Sequence, residues 1–206
     1  MVGNDVVDLA DAEAAVDASH PRFDARVFGA RERRRLEMAG DRARMRWILW
    51  AAKESAYKAM RRCDPALIFS PRRFEVELDE ALCGYVHAPG GVLEVRIELR
   101  GDCVHALAAA APYTNGMLQR GVARVGSAAA SDGVRALAVG ALSRHLGIAP
   151  EALSIRRVGR VPQLCAYGAP TGHPISLAHH GRFAAWACGL RPHTEQPATA
   201  MLEGAA

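Results

Sequence analysis

Met45-Arg46-Trp47-Ile48-Leu49-Trp50-Ala51-Ala52-Lys53-Glu54-Ser55-Ala56-Tyr57-Lys58-Ala59-Met60 is the stretch on which the reading of the chain turns. Met45, Ile48, Leu49, Ala52, Ala56 and Ala59 recur at the spacing of one face of an amphipathic helix, which predicts a helix from about Asp41 to Arg62, with Pro65 beyond its end. Trp50, Glu54 and Lys58 follow at steps of four and share another face, with Lys53 one position round. An isolated Glu-Lys pair one turn apart is a common surface feature that contributes a few tenths of a kcal/mol.

Two features set this pair apart. Lys53 and Lys58 are the only lysines among 26 basic residues, in a chain that otherwise uses arginine. A compact ammonium acts as a point charge on a phosphate, a task that the planar guanidinium fork performs differently. Nearer the N-terminus, Val2-Gly3-Asn4-Asp5-Val6-Val7-Asp8 sets carboxylates on a short, mostly apolar strand, where a buried charge is costly unless it is compensated. A divalent cation shared by Asp5 and Glu54 would explain acids in both places, since a few carboxylates, waters and substrate phosphates are the usual surroundings of Mg²⁺.

Downstream of the helix, Phe74, Val76 and Leu78 alternate with polar residues, as do Leu93, Val95, Ile97 and Leu99. These read as antiparallel strands joined through the turn Pro89-Gly90-Gly91, and Val104 to Ala111 completes a small sheet. Residues 112–131 read as a linker with one strand near Val122 to Val125. The pattern then restarts. Ser131 or Asp132 caps a helix striped by Val134, Leu137, Ala138, Ala141, Leu142 and His145 and closed by Gly147, and strands follow around 154–156, 163–165, 175–178 and 183–188. Gly101-Asp102-Cys103-Val104 and Gly181-Arg182-Phe183-Ala184 open the closing strand of each half, a faint internal repeat. The fold class predicted is α+β, with two similar lobes, each a small antiparallel sheet packed with a long helix. The first lobe takes residues 1–115, the second 116–190, and 191–206 form a flexible tail.

Composition narrows the function classes. The 206 residues are 50% hydrophobic and 23% charged, which excludes collagen, coiled coil and wholesale disorder. The first twenty residues hold five acids and no Lys or Arg, unlike a secretory leader, and no apolar run approaches the roughly 18 residues that cross a bilayer. Five cysteines without a C-x-x-C pair fit a reducing cytoplasm. The net charge of +4 conceals a contrast: residues 22–73 carry 15 Lys and Arg against 6 Asp and Glu. Such a segment suits an anionic partner, whether nucleic acid, a phosphate-rich ligand or an acidic protein, and equally suits a solvated arginine-rich helix. A nucleic-acid binder using Arg22 to Arg73 would leave the acidic strand and the two lysines unexplained and shows no aromatic stripe among the arginines.

Gly3-Asn4-Asp5, followed after 44 residues by Trp50-Ala51-Ala52-Lys53-Glu54-Ser55-Ala56-Tyr57-Lys58, resembles the two-part signature of 4'-phosphopantetheinyl transferases, a Gly-x-Asp strand and then W-x-x-K-E-[AS]-x-x-K. Arg26-Val27-Phe28 with Glu32 is similar to the segment between those parts. Gly159-Arg160-Val161-Pro162 resembles the family's G-[KR]-P element with one residue inserted, and Ile175 to Phe183 its S-H strand and turn. The sequence departs from the family in three places. The lobe with the metal signature comes first, as in a circular permutation of the two-lobed, surfactin-type members. Val7 stands two positions after the strand aspartate, where an acid is usual, while Asp8 at plus three resembles the single-lobed synthases. Ala178 replaces the serine before His179.

The resemblance implies transfer of the 4'-phosphopantetheine arm of coenzyme A to a serine of an apo acyl or peptidyl carrier protein, releasing adenosine 3',5'-bisphosphate. It implies Mg²⁺, or Mn²⁺, on Asp5 and Glu54 with Asp8 as a further candidate ligand. It also implies Lys58 as a catalytic cation, and Lys53, Arg160, His179 and His180 as coenzyme A contacts. The carrier protein would meet the Arg26–Arg46 region, and a cytoplasmic monomer, without nucleic acid or membrane, would suffice. A transferase-fold protein that only binds is the other alternative.

Overall fold

The computed structural model describes residues 1–15, 22–113, 117–126 and 130–190. Residues 191–206, the predicted tail, lie outside the described residues. The first half contains β1 (Val2–Asp8), α1 (Phe23–Val27), α2 (Ala30–Met38), α3 (Arg42–Met60), β2 (Glu75–Leu78), β3 (Cys83–Ala88), β4 (Gly91–Arg100) and β5 (Cys103–Ala109). The second contains β6 (Leu118–Arg124), α4 (Ala130–Leu146), β7 (Leu153–Val158), β8 (Val161–Ala166), β9 (Ala169–His180) and β10 (Phe183–Gly189). Each half builds a five-stranded antiparallel sheet, ordered β1-β5-β4-β3-β2 and β6-β10-β9-β8-β7. The second order repeats the first, so the chain is an α+β fold of two similar lobes. Among the described residues no helix is long and apolar enough to cross a membrane, and all five cysteines are free.

Helix α3 starts where its stripe does, with the Asp41 carboxylate accepting the Arg44 amide at 2.9 Å as an N-cap. Leu49, Ala52 and Ala56 enter a core with Phe74, Val86, Leu93 and Val104. In the second lobe Val134, Ala138 and Leu142 of α4 pack on Leu164, Ile175, Ala184 and Trp186. Alternation along β10 divides its residues between two partners: Ala184, Trp186 and Cys188 face α4, while Phe183 and Ala185 join Val6, Cys103 and Ala178 between the lobes.

Several sequence readings shift. Strand β3 intervenes between the two strands read from alternation, so Pro89-Gly90 joins β3 to β4; Cys83-Gly84-Tyr85 carries too little contrast to announce a strand. Helix α4 opens at Ala130, placing Asp132 within its first turn, where negative charge suits the helix dipole. The single strand in the linker is β6, longer than the sequence suggested. Strand β9 reaches back to Ala169 through Pro170, Gly172 and Pro174, residues that usually interrupt strands, and its pairing with β8 shifts register there.

Among the described strands β1 pairs only with β5, yet all seven of its residues are buried. One face lies on α3 and the other on the second lobe. Its outward amides at Asn4 and Asp8 donate to Ser176 Oγ (3.0 Å) and His180 Nδ1 (3.1 Å) of β9, so the edge is closed by side chains of the other lobe. Gly3 fixes the approach of α3. A Cβ there would stand 2.0 Å from the Ser55 carbonyl oxygen and 2.6 Å from the Ala59 nitrogen, both backbone atoms of the helix. Replacing Gly3 by alanine therefore forces strand and helix apart, and is expected to destabilise by about 1–3 kcal/mol or more, as overpacking does. A Cβ at Gly140 of α4 would instead meet nothing within 4 Å, so Gly140→Ala is expected to stabilise by about 0.5–1 kcal/mol through helix propensity. Urea denaturation midpoints of the two variants should move in opposite directions.

Candidate active site

The parity that turns Gly3 toward α3 also turns Asp5 toward it. Asp5 is buried, and Lys58 Nζ donates to its Oδ1 at 2.6 Å. Glu54, one helical turn before Lys58, is partly buried beside them. Its carboxyl is pushed up to about 7, first by burial and then by the charge on Asp5, with Lys58 acting in the opposite sense.

Two cavities open on either side of Glu54 and Lys58, and both residues line both. The first, of about 350 Å³, is bounded by Asp5, His179 and His180 and by an aromatic wall of Phe23, Trp47 and Trp50. The second, of about 300 Å³, is bounded by Tyr57, Arg61, Arg62 and Arg160, with Ile175, Ser176 and Leu177 behind them. The first lobe supplies Asp5, Glu54 and Lys58; the second supplies His179, His180 and Arg160. Arg160 reaches the cleft edge on the two-residue turn Gly159-Arg160 between β7 and β8. The largest cavity described, about 580 Å³, lies by Tyr85, Arg96, Leu118 and Arg120, remote from all of these groups. The candidate site lies where opposed charges meet, and not at the largest cavity described.

Two residues predicted for the site do not reach it. Asp8 is 1% exposed and its carboxylate is taken up by Arg182: Nε to Oδ2 at 2.7 Å, Nη2 to Oδ1 at 2.6 Å, and the Arg182 amide to Oδ2 at 3.0 Å. The Ala10 amide donates to Oδ1 at 3.1 Å. These bonds, those to Arg182 foremost, hold the Asp8 carboxyl well below the usual range. Asp8 ties the lobes together and lines neither cavity. Lys53 is fully enclosed, with Nζ 2.7 Å from Glu32 Oε1 and further bonds to the carbonyl oxygens of Pro71 (3.1 Å) and Phe74. Glu32 also accepts the amides of Gly29 (2.7 Å) and Val76 (3.0 Å). Burial lowers the Lys53 pKa against the pull of Glu32. This lysine braces α3 against α2 and the segment 71–76. His180 accepts the Asp8 amide at Nδ1, which fixes the ring beside the cavity, while His179 is exposed at its edge.

Other site residues were not singled out from the sequence. Arg61 and Arg62 follow Lys58 at steps of three and four, so helical spacing alone could have found them. Arg62 donates across the lobe boundary to the carbonyls of Ile175 (2.7 Å) and Pro162 (3.1 Å). Phe23 and Trp47 carried no signal beyond their aromatic character.

The donor set fits a divalent cation. Asp5 and Glu54 bring two carboxylates to the lining of one cavity, Lys58 is bonded to Asp5, and the Glu54 carboxyl is raised first by burial and then by the Asp5 charge, both of which a bound cation would offset.

A family model described as the 4'-phosphopantetheinyl transferase superfamily matches residues 1–108. No curated protein matches the chain, nor does any solved structure.

Between about pH 4.5 and 7 the folded state keeps a proton on Glu54 that the unfolded chain has lost. Stability without divalent ions should therefore fall as pH rises through that window, by up to about 3 kcal/mol. Glu54→Gln should remove this slope and stabilise the metal-free protein at pH 8. Urea unfolding in EDTA at pH 5, 6.5 and 8 checks the sign. Lys53→Met leaves Glu32 buried and unpaired and should cost about 3–5 kcal/mol. The double variant with Glu32→Gln should lose less, by the same measurement.

Proposed function

The chain belongs to the 4'-phosphopantetheinyl transferase superfamily, and we propose that it transfers the 4'-phosphopantetheine arm of coenzyme A to a serine of an apo acyl or peptidyl carrier protein, releasing adenosine 3',5'-bisphosphate. The observation that carries this reading is the position of Glu54 and Lys58 on the wall shared by two cavities of opposite character. Arg61, Arg62 and Arg160 make one cavity suitable for the phosphates of coenzyme A. The other brings Asp5 and His179 together beside an apolar aromatic wall.

Asp5 and Glu54 would hold Mg²⁺, or Mn²⁺, which when bound supplies charge neutralisation at the pyrophosphate and polarises the attacked phosphorus. The rest falls to the chain itself. The serine oxygen forms a bond to the phosphorus that bears the pantetheine arm, and the bond from that phosphorus to the adenosine bisphosphate oxygen breaks. Lys58, held by Asp5 at the cavity junction, is placed to offset the negative charge that develops on the phosphoryl oxygens. Glu54, or a metal-linked water, would take the serine proton. Arg160 and His179 would hold phosphate oxygens from the second lobe, with Arg61 opposite them. Lys53 serves the reaction through the placement of α3. Both walls come from one chain, so a monomer suffices.

Incubation with coenzyme A, Mg²⁺ and several apo carrier proteins should add one phosphopantetheine to at least one of them by mass spectrometry, and EDTA should abolish the gain. Asp5→Asn, Glu54→Gln and Lys58→Met should each lower turnover by orders of magnitude with the fold intact by circular dichroism. Asp8→Asn should mainly lower stability. Failure to modify any carrier, together with a mobility shift of duplex DNA at physiological salt, would return the arginine-rich segment to nucleic acid.

A further inference from the structure

Strands β8 and β9 form a hairpin whose pairing runs from Ala166 with Ala169 as far as Gln163 with Pro174. The next pair in that register would be Pro162 with Ile175, and a proline has no amide to give to a ladder. Arg62 stands in that place. It comes from the other lobe, just past the end of α3, and its Nη1 donates to the Ile175 carbonyl at 2.7 Å and to the Pro162 carbonyl at 3.1 Å. One nitrogen with two hydrogens thus closes the open end of the hairpin. Burial lowers the pKa of this guanidinium, a cost that the two carbonyl acceptors offset.

These bonds hold one wall of the second cavity. Arg160 lies two residues before Pro162, on the turn between β7 and β8, and Ser176 follows Ile175; all four line that cavity together with Glu54, Tyr57 and Lys58 of α3. Arg62 comes four residues after Lys58, so the ammonium that faces the cavity and the anchor of the opposite wall leave the same end of one helix. Arg61 is placed differently: its guanidinium lies over the Tyr57 ring, 5.6 Å from the centroid, and lines the same cavity. A second tie between the lobes, Arg182 on Asp8, sits past the other end of β9 and lines neither cavity.

We infer that Arg62 is a positioning residue for coenzyme A: by taking the carbonyls of Pro162 and Ile175 it fixes the Gly159-Arg160 turn opposite Lys58, and so sets the spacing of the cations that receive the phosphates. This role rests on the transfer reaction proposed above. Nη1 is committed within the chain, so Arg62 acts on the phosphates through Arg160. A cavity walled by two lobes binds tightly only while its walls keep their spacing, because cations that drift apart cannot serve one set of phosphates together. Without Arg62 the Ile175 carbonyl loses this donor, and the turn is left to the pairing of β7 with β8.

Calorimetric titration with coenzyme A in the presence of Mg²⁺, run beside urea unfolding, tests this role. Arg62→Met should raise the Kd for coenzyme A about tenfold or more while the KM for a carrier protein stays unchanged. Arg62→Lys is the milder change: it keeps the charge without the reach of the guanidinium and should also weaken binding. Wild-type affinity in Arg62→Lys would make charge alone the cause and overturn the role. In a cycle with Arg160→Met, the double variant should bind little more weakly than Arg160→Met alone, whereas additive losses would assign Arg62 to direct phosphate contact. Arg182→Met, which cuts the tie past the other end of β9, should lower the urea midpoint at least as far as Arg62→Met yet shift the Kd by less than about twofold. An equal rise in Kd there would reduce Arg62 to general bracing of the lobes. A wild-type chain that does not bind coenzyme A removes the proposed reaction and this role together; a wild type that binds it, with the same Kd in Arg62→Met, removes this role alone.

Discussion

A carboxylate taken out of water must find its compensation within hydrogen-bond reach, and strand β1 takes out two at once. Asp5 and Asp8 differ by three positions and so leave opposite faces of the strand. Asp5 meets α3 and is answered by Lys58; Asp8 meets the other lobe and is answered by Arg182. This division needs β1 packed on both sides, which in turn needs Gly3 for the approach of α3 and the Ser176 and His180 side chains for the edge amides. The cleft is thus a consequence of how one buried strand is satisfied. The same strand that packs between the lobes also presents Asp5 to the candidate site.

The two lysines have separate tasks for the same physical reason. An ammonium with three donors can sit in a closed chamber if three acceptors surround it, and Lys53 has Glu32 and two carbonyl oxygens. Lys58, further round α3, keeps one side toward the cavities while Asp5 holds the other. A guanidinium is too broad for the first place. The pairing of Glu32 with Lys53 also ties α2 to α3, so the residue directly before Glu54 in the chain is anchored away from solvent.

The two similar lobes, the long helices and the pairing of Asp5 with Glu54 in one place could be read from residues alone, because periodicity, alternation and the cost of buried charge are properties of the sequence. The placement of Lys53 could not. A helical wheel separates Lys53 from Glu54 by about 100° but does not say which side another element will cover. Nor could the sequence show that Arg31, Arg33 and Arg35 would spend their donors on the chain's own acceptors, since Glu77 and the carbonyls of Phe28 and Leu78 are brought to them only by folding. Asp8 escaped for a similar reason: Arg182 lies 174 residues away and reaches it only through the packing of the lobes. Strand β9 shows the limit in the other direction, where neighbouring strands hold prolines and a glycine in extended pairing that their local preferences oppose.

The turns Gly101-Asp102 and Gly181-Arg182 occupy matching places in the two lobes, and Arg182 Nη2 reaches Asp102 Oδ2 at 3.2 Å. By the same register Gly121, opposite Trp186, stands where Asp5 stands opposite Ala106, and the indole fills the space that a side chain at Gly121 would need. The halves share an architecture but are no longer interchangeable: one carries the acid and the other the aromatic plug. Since translation joins them in fixed one-to-one ratio, the cleft cannot be lost by dilution, as a site shared between separate subunits can. Each half is therefore free to diverge without having to remain complementary to a copy of itself.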